Sequence, residues 1–411
     1  MDLAKRKLTP FFFLTKRKKR NVRICLGTIL MALAFYRIFY QTQNEQFRRI
    51  EAFQFNQTKL ILVYTPYPSE PWGPKNAKEA KNYKFTDWDG TPCEEDRCQI
   101  TFDKNLRNFS DAVLVHGFGA TSSRGWNVEL AKRNRPPAQR WVFYTKESPQ
   151  QFPMALKSDG VYNWTATYRR DSDFFVPYGS YSTLKIPNKS HGGDVGEQPN
   201  ENVNYAKGKD KMATFGVSNH CVVDGFRFAF VRALMKHISV TLYGRCATMF
   251  ESNSTWRCPH SMRDGCLEEI QRHKFYLAFE NSLCVDYITE KYWRNSLERG
   301  LVPVVLGGAP YNPEQVIPGS FINAADFDSV KDLADYLKYL DKNDTAYNQY
   351  FKWRTKYKVV KYEFWLCQLC KALHDPTKPP KIYYKMSEYW GKYGASCHLN
   401  EDRVWNTINS G

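Results

Sequence analysis

No apolar run in this 411-residue chain reaches the length of a comfortable membrane span, and no small-residue cleavage motif follows the first such run. There is no short-period repeat, which argues against a solenoid or propeller. No recognisable nucleic-acid-binding module is present, so the formal charge of +17 is not evidence of a nucleic-acid partner. Cys367-Gln-Leu-Cys370 lacks a second CxxC, so a complete zinc site cannot be assembled from it, and it lacks the following helix of a redox motif. A structural disulfide role is the favoured reading of that pair.

What is present divides into a tail and a body. Residues 1–40 hold ten Lys/Arg and one Asp, a balance of +9 that leaves +8 for the rest. Lys5-Arg6-Lys7 and Lys16-Arg17-Lys18-Lys19-Arg20 precede an apolar run from Ile24 to Tyr36, which Ile38-Phe39-Tyr40 extends beyond Arg37. The run is short against the roughly 17–25 residues of a spanning helix, but Arg23 and Arg37 can snorkel, and Tyr36 and Tyr40 suit the interfacial belt. Basic residues on its N-terminal side place that end in the cytosol. The reading is an uncleaved signal anchor over residues 22–40, after a cytosolic tail over 1–21 and before a polar stem over 41–58; the alternative is a basic nuclear-targeting arm.

Two features put the body in an oxidising lumen. Eleven Cys leave ten beyond Cys25 of the anchor, an even number that suits disulfides. Sequons for N-glycosylation begin at Asn56, Asn108, Asn163, Asn188, Asn253 and Asn343. Length predicts about two domains. Lys59–Thr65, Asp111–His116 and Trp141–Thr145 read as buried strands, with a helix-like stretch from Trp126 to Asn134. The polar stretch 185–211 reads as a linker between an α/β domain over 59–184 and a second over 212–360. In the second, Ala213–Val217, Ser239–Tyr243, Phe275–Phe279 and Leu301–Leu306 read as strands. Asp224–His237 and Thr289–Arg299 read as helices, the latter stopped by Gly300. Val330, Leu333, Ala334, Leu337 and Leu340 line one face of a later helix. A Cys-containing segment over 361–411 closes the chain.

In open α/β sheets ligands bind beyond the carboxyl ends of the strands. Those ends here are polar: Lys146-Glu147, Ser218-Asn219, Tyr243-Gly244-Arg245 and Glu280-Asn281. A helix beginning at Thr289-Glu290-Lys291 would present free amides to an anion, with a charge from Lys291 and a hydroxyl from Tyr287. A pyrophosphate fits there, Glu290 suits ribose hydroxyls, and Arg227 lies on the helix after Ser218-Asn219. An ordinary helix cap by Thr289, with Glu/Lys surface pairs, fits the spacing as well. Asp171-Ser-Asp173 and Asp87-Trp-Asp89 have the form of a metal-binding DxD.

The segment from Phe275 to Gly308, FYLAFENSLCVDYITEKYWRNSLERGLVPVVLGG, closely resembles the signature of the α1,3-fucosyltransferase family. The resemblance takes in Lys211–Gly244, Asn163–Asp173 with Pro177-Tyr178-Gly179, and Glu147-Ser-Pro149, and it covers most of the chain from Lys59 to Cys370. It implies a type II Golgi membrane enzyme of the GT-B kind, two Rossmann-like domains facing a crevice, inverting β-linked fucose of GDP-fucose to an α1,3 linkage. By resemblance Glu147 is the general base. Arg227, Asn281, Tyr287, Glu290 and Lys291 match the family's donor-binding residues, and Ser218, Asn219, Tyr243 and Glu280 join them as strand-end candidates. The resemblance implies GDP-fucose and a glycan acceptor as substrates, no obligatory cofactor, and a divalent metal at most as a stimulant. Asp171 and Asp173 fall in a structural segment of that family. The long stretch around His191-Gly-Gly-Asp194 and the Cys-rich Cys246–Cys266 resemble invertebrate members, leaving antennal GlcNAc, LacdiNAc and core GlcNAc open as acceptors.

Overall fold

The computed structural model describes residues 31, 35–37, 57–65, 73–87, 90–121, 132–133, 135–151, 158–184, 203–218, 221, 225–250, 255–256, 264–360, 365–390, 397 and 401–410. The chain divides into a unit over Met1–Thr58 and a unit over Lys59–Gly411. In the first, residues 31 and 35–37 are helical and exposed; the tail, and most of the expected anchor and stem, lie outside the described residues. Among the described residues no helix is long and apolar enough to cross a membrane. The helix expected over Trp126–Asn134 also falls largely outside them.

The second unit contains two parallel six-stranded sheets. The first is built from β1 (Lys59–Thr65), β2 (Cys98–Thr101), β3 (Ala112–His116), β4 (Arg140–Thr145), β5 (Trp164–Thr167) and β6 (Phe174–Phe175), in the order β2-β1-β3-β4-β5-β6. A short strand β7 (Ser180–Thr183) follows. The second sheet uses β8 (Lys211–Gly216), β9 (Val240–Tyr243), β10 (Thr255–Trp256), β11 (His273–Phe279), β12 (Val302–Leu306) and β13 (Ile322–Asn323), in the order β10-β9-β8-β11-β12-β13. A last strand, β14 (Tyr357–Val360), pairs antiparallel with β7. Strands covered on both faces read as continuous apolar runs rather than alternating ones. Leu60–Tyr64 and every residue of β11 are buried accordingly.

Helices supply the covering. On the second sheet, α1 (Phe226–Met235) and α2 (Val330–Lys342) pack against Phe275, Leu277 and Phe279. The buried stripe of α2 is Val330, Leu333, Ala334, Leu337 and Leu340, the five positions that the sequence periodicity picks out. On the first sheet, α3 (Trp365–His374) lays Trp365 flat on Tyr144, with ring centroids 5.1 Å apart. The opposite face takes Met386, from α4 (Met386–Tyr389), and Trp390. Helix α5 (Glu401–Asn409) returns Val404 to the second sheet's core.

The 361–411 segment is therefore not an appended tail, because it supplies core side chains to both sheets. Its CxxC is not internally bridged. Cys367 pairs with Cys93 and Cys370 with Cys98, fixing α3 to the first sheet. Cys221 pairs with Cys246 and Cys284 with Cys397.

The helix expected over Thr289–Arg299 does not form. Only Leu297–Arg299 makes a 3-10 turn, ending at Gly300 with φ 72°. Ahead of it the backbone bonds are wide: Asn295 N–H donates to Glu290 O at 2.8 Å and Leu297 N–H to Tyr292 O at 3.3 Å. Such i to i−5 closures interrupt the α-helical ladder.

Candidate active site

The site begins where β4 ends. Glu147 N–H donates to Thr145 Oγ1 at 3.1 Å, which turns the chain out of the strand. Lys146 is buried, its ammonium 4.8 Å over the Tyr178 ring, while Tyr178 OH donates to Lys146 O at 2.8 Å. Next, Ser148 Oγ meets Ser282 Oγ at 2.7 Å, joining this turn to the loop that follows β11.

That second loop carries the opposing groups. Gly308 lets it approach: a Cβ there would lie 2.5 Å from the backbone carbon of Leu283. The Cys284–Cys397 bridge holds its middle. Tyr287 is buried, its ring 4.7 Å from Tyr168 and 6.2 Å from Tyr178. Its hydroxyl donates to Glu147 Oε2 at 3.1 Å. Burial pushes the Tyr287 phenol well above its usual pKa, with Glu147 and Glu280 adding to the effect, so it stays a proton donor.

Glu280 is 1% exposed and turns inward. Its carboxylate accepts Thr289 N–H at 2.8 Å, Thr289 Oγ1–H at 2.8 Å and the Lys291 ammonium at 3.0 Å. The Thr289 donors predicted to face an anion are thus taken by Glu280 from within the protein, while Lys291, paired with Glu280, still reaches the cavity wall. Burial raises the Glu280 carboxyl pKa against the pull of Lys291. Burial also works against the Lys291 ammonium, but Glu280 and Glu290 outweigh it and hold its pKa above the ordinary range. Glu290 lies 3.5 Å from Lys291; despite burial, Lys291 holds its carboxyl below the usual range. Burial lowers the pKa of the Arg227 guanidinium, while Glu280 and Tyr287 oppose that shift.

A cavity of about 260 Å³ opens among these groups. Of the predicted residues, Glu147, Ser218, Arg227, Tyr243, Asn281, Tyr287, Glu290 and Lys291 line it. Glu280 stands behind Lys291 and does not line it, and Asn219 lies outside the described residues. Sequence reasoning missed Tyr178, Tyr276, Arg294 and Asn295 on the wall. A signal existed for two of them: Tyr178 sits in the Pro177-Tyr178-Gly179 segment, and Tyr276 alternates along β11 onto the face of Glu280.

The acidic pairs lie elsewhere. Asp171 is paired with Arg169 at 2.6 Å. Asp173 accepts Thr165 N–H at 2.9 Å, Lys381 Nζ at 2.8 Å and Tyr383 OH at 2.8 Å, bracing β5 against the C-terminal segment. Asp89 is outside the described residues. Among the described residues, the grouping Cys98, Cys370 and His374 has metal-ligand types, but its two sulfurs are bonded to each other.

Comparison with known proteins identifies the family of the chain. Residues 206–390 match the model of glycosyltransferase family 10 (fucosyltransferase), C-terminal part, and residues 56–179 match the fucosyltransferase N-terminal model. A 3-galactosyl-N-acetylglucosaminide 4-alpha-L-fucosyltransferase of Bos taurus is 37% identical over 72% of this chain and 73% of its own length. A glycoprotein 3-alpha-L-fucosyltransferase A of Drosophila melanogaster is 32% identical over 81% of this chain and 60% of its own. A solved α1,3-fucosyltransferase with GDP-fucose is 19% identical, with a TM-score of 0.47 over 80% of this chain and 92% of that one. The chain belongs to glycosyltransferase family 10, the α1,3-fucosyltransferase family that its Phe275–Gly308 signature resembles.

Proposed function

We propose that this chain is an inverting α1,3-fucosyltransferase that takes L-fucose from GDP-fucose and attaches it to a GlcNAc, GalNAc or Glc-type residue of a glycoprotein or glycolipid glycan. The observation that carries this reading is the cavity in which Glu147, from the end of β4, meets Arg227, Tyr287 and Lys291 of the second sheet. Glu147 removes the proton of the acceptor hydroxyl as its oxygen bonds to fucose C1. The C1–O bond to the β-phosphate breaks on the opposite face, and GDP departs with the electron pair. Arg227 and Lys291 meet the charge gathering on the leaving phosphate, in positions fixed before the reaction starts. Tyr287 keeps the Glu147 carboxylate aimed, and Glu290 suits the ribose hydroxyls.

On this reading the two sheets form the halves of a GT-B enzyme, the acceptor on the first and GDP-fucose on the second. A Golgi type II topology follows from the basic flank, the apolar run and the sequons of the sequence. A purified full-length chain offered GDP-fucose and a glycan array tests the reading. Release of GDP with fucose on one acceptor class supports it. Glycan binding with no GDP release favours an anchored glycan-binding protein instead.

A further inference from the structure

Asn295 stands on the cavity wall with 7% of its surface exposed, and its Oδ1 accepts no hydrogen bond from any described residue. Its Nδ2 donates to Tyr276 OH at 3.4 Å, which orients the amide. A buried acceptor left unsatisfied is costly, and native proteins keep few of them without a reason. Here the orphaned atom borders a ligand-sized space.

Its place in that space follows from strand geometry. Side chains alternate along β11, so Tyr276, Ala278 and Glu280 share one face, opposite Phe275, Leu277 and Phe279. Glu280 holds Lys291 at the strand's carboxyl end. Tyr276 sits four residues back, about 13 Å along the strand. Tyr243 covers the neighbouring position on that face, paired in register with Gly216. A Cβ on Gly216 would lie 2.3 Å from the Tyr243 ring. The cavity wall thus joins Glu147 and Tyr287, Lys291 and Glu290, and the group Tyr243, Tyr276 and Asn295.

Resting on the donor reading above, we propose that Asn295 reads the guanine of the nucleotide, its Oδ1 accepting from the N–H edge of the base. With fucose at Glu147, phosphates at Arg227 and Lys291 and ribose at Glu290, the wall left for the base is Tyr243, Tyr276 and Asn295. Guanine offers N1–H and a 2-amino group on one edge, whereas adenine offers an acceptor and a C–H there. A site built to satisfy a donor edge rejects the analogue that lacks it.

The test is binding of GDP, IDP and ADP to the full-length chain, wild type, Asn295→Ala and Asn295→Ser, each checked for folding by thermal unfolding. Wild type should prefer GDP to ADP, with IDP between them. Either folded variant should shrink the GDP-to-ADP preference by about 10–100-fold, with ADP affinity little changed. An equal loss for GDP and ADP, or an unchanged preference, overturns the role of Asn295 while leaving the donor reading intact. A wild-type chain that binds no nucleoside diphosphate overturns the donor reading and this inference together.

Discussion

Lys291 and Glu280 form a buried ion pair 3.0 Å apart, with the carboxylate side chain 1% exposed and the ammonium side chain 14% exposed. Removing one member of such a pair leaves an uncompensated buried charge, at about 3–5 kcal/mol. Lys291→Ala should therefore lower the melting temperature as well as cut turnover by about 10²–10³. The double variant Glu280→Gln/Lys291→Met should recover much of the thermal stability and none of the turnover. Calorimetry beside initial rates checks this; turnover that recovers with stability would make Lys291 purely structural.

Glu147→Gln keeps an acceptor for the Tyr287 hydroxyl, so the cavity should hold its shape. Turnover should fall by about 10²–10⁴. GDP-fucose affinity should stay near wild type, because the proposed donor contacts lie on the other sheet. Normal turnover would point to a different base. Glu290, on the cavity wall, is then the first to test, since Asp171 is engaged with Arg169 outside it.

The bridges Cys93–Cys367 and Cys98–Cys370 close nearly the same loop, with separations of 274 and 272 residues. While either is intact, the unfolded chain is already constrained. Removing one pair should cost little; removing both should cost about 2–5 kcal/mol. Denaturant midpoints of the two single-bridge and the double variants measure this non-additivity. Equal and additive losses would count against it.

Burial holds the His273 pKa below 6.5 in the folded protein, against hydrogen bonds to Ile270 O and Glu269 O. The unfolded chain takes up that proton first as pH falls. His273 thus contributes stability above its unfolded pKa, and this is lost as pH drops toward the folded value. His273→Gln should flatten the fall in stability between about pH 8 and about pH 5. A slope identical to wild type would refute the assignment.

Arg227 and Lys291 supply fixed cationic charge beside the cavity, so turnover should persist in a chelator. Abolition by chelator and recovery with manganese would reverse that expectation.

The strands were legible because both faces are covered, which leaves unbroken apolar runs such as Leu60–Tyr64 and Phe275–Phe279. Most of the cavity's polar lining was legible at strand ends, where polar residues follow such runs. What misled was the Thr289–Arg299 segment. Its local pattern of capping Thr, Glu, Lys and terminal Gly is that of a helix, but the deciding partner of Thr289 N–H is Glu280, from the end of another element. Asn295 was hidden for a related reason: it lies in that same segment, where a helical reading gives no sign that its side chain reaches a cavity wall. The cysteine partners, separated by up to 274 positions, could not be read from spacing.

The core of the first sheet contains Trp365, Leu366, Leu369 and Cys370, some 190 residues beyond its last strand at Phe175. During synthesis, nearly nine tenths of the 411 residues emerge before that core can close. The second sheet has most of its described core in hand earlier, from Ala206 to Phe351, with Val404 still to come. The half that bears Glu147 is thus begun first and closed late, and a chain cut short before Trp365 would leave its face exposed to chaperones when most of the other half's core had already been made.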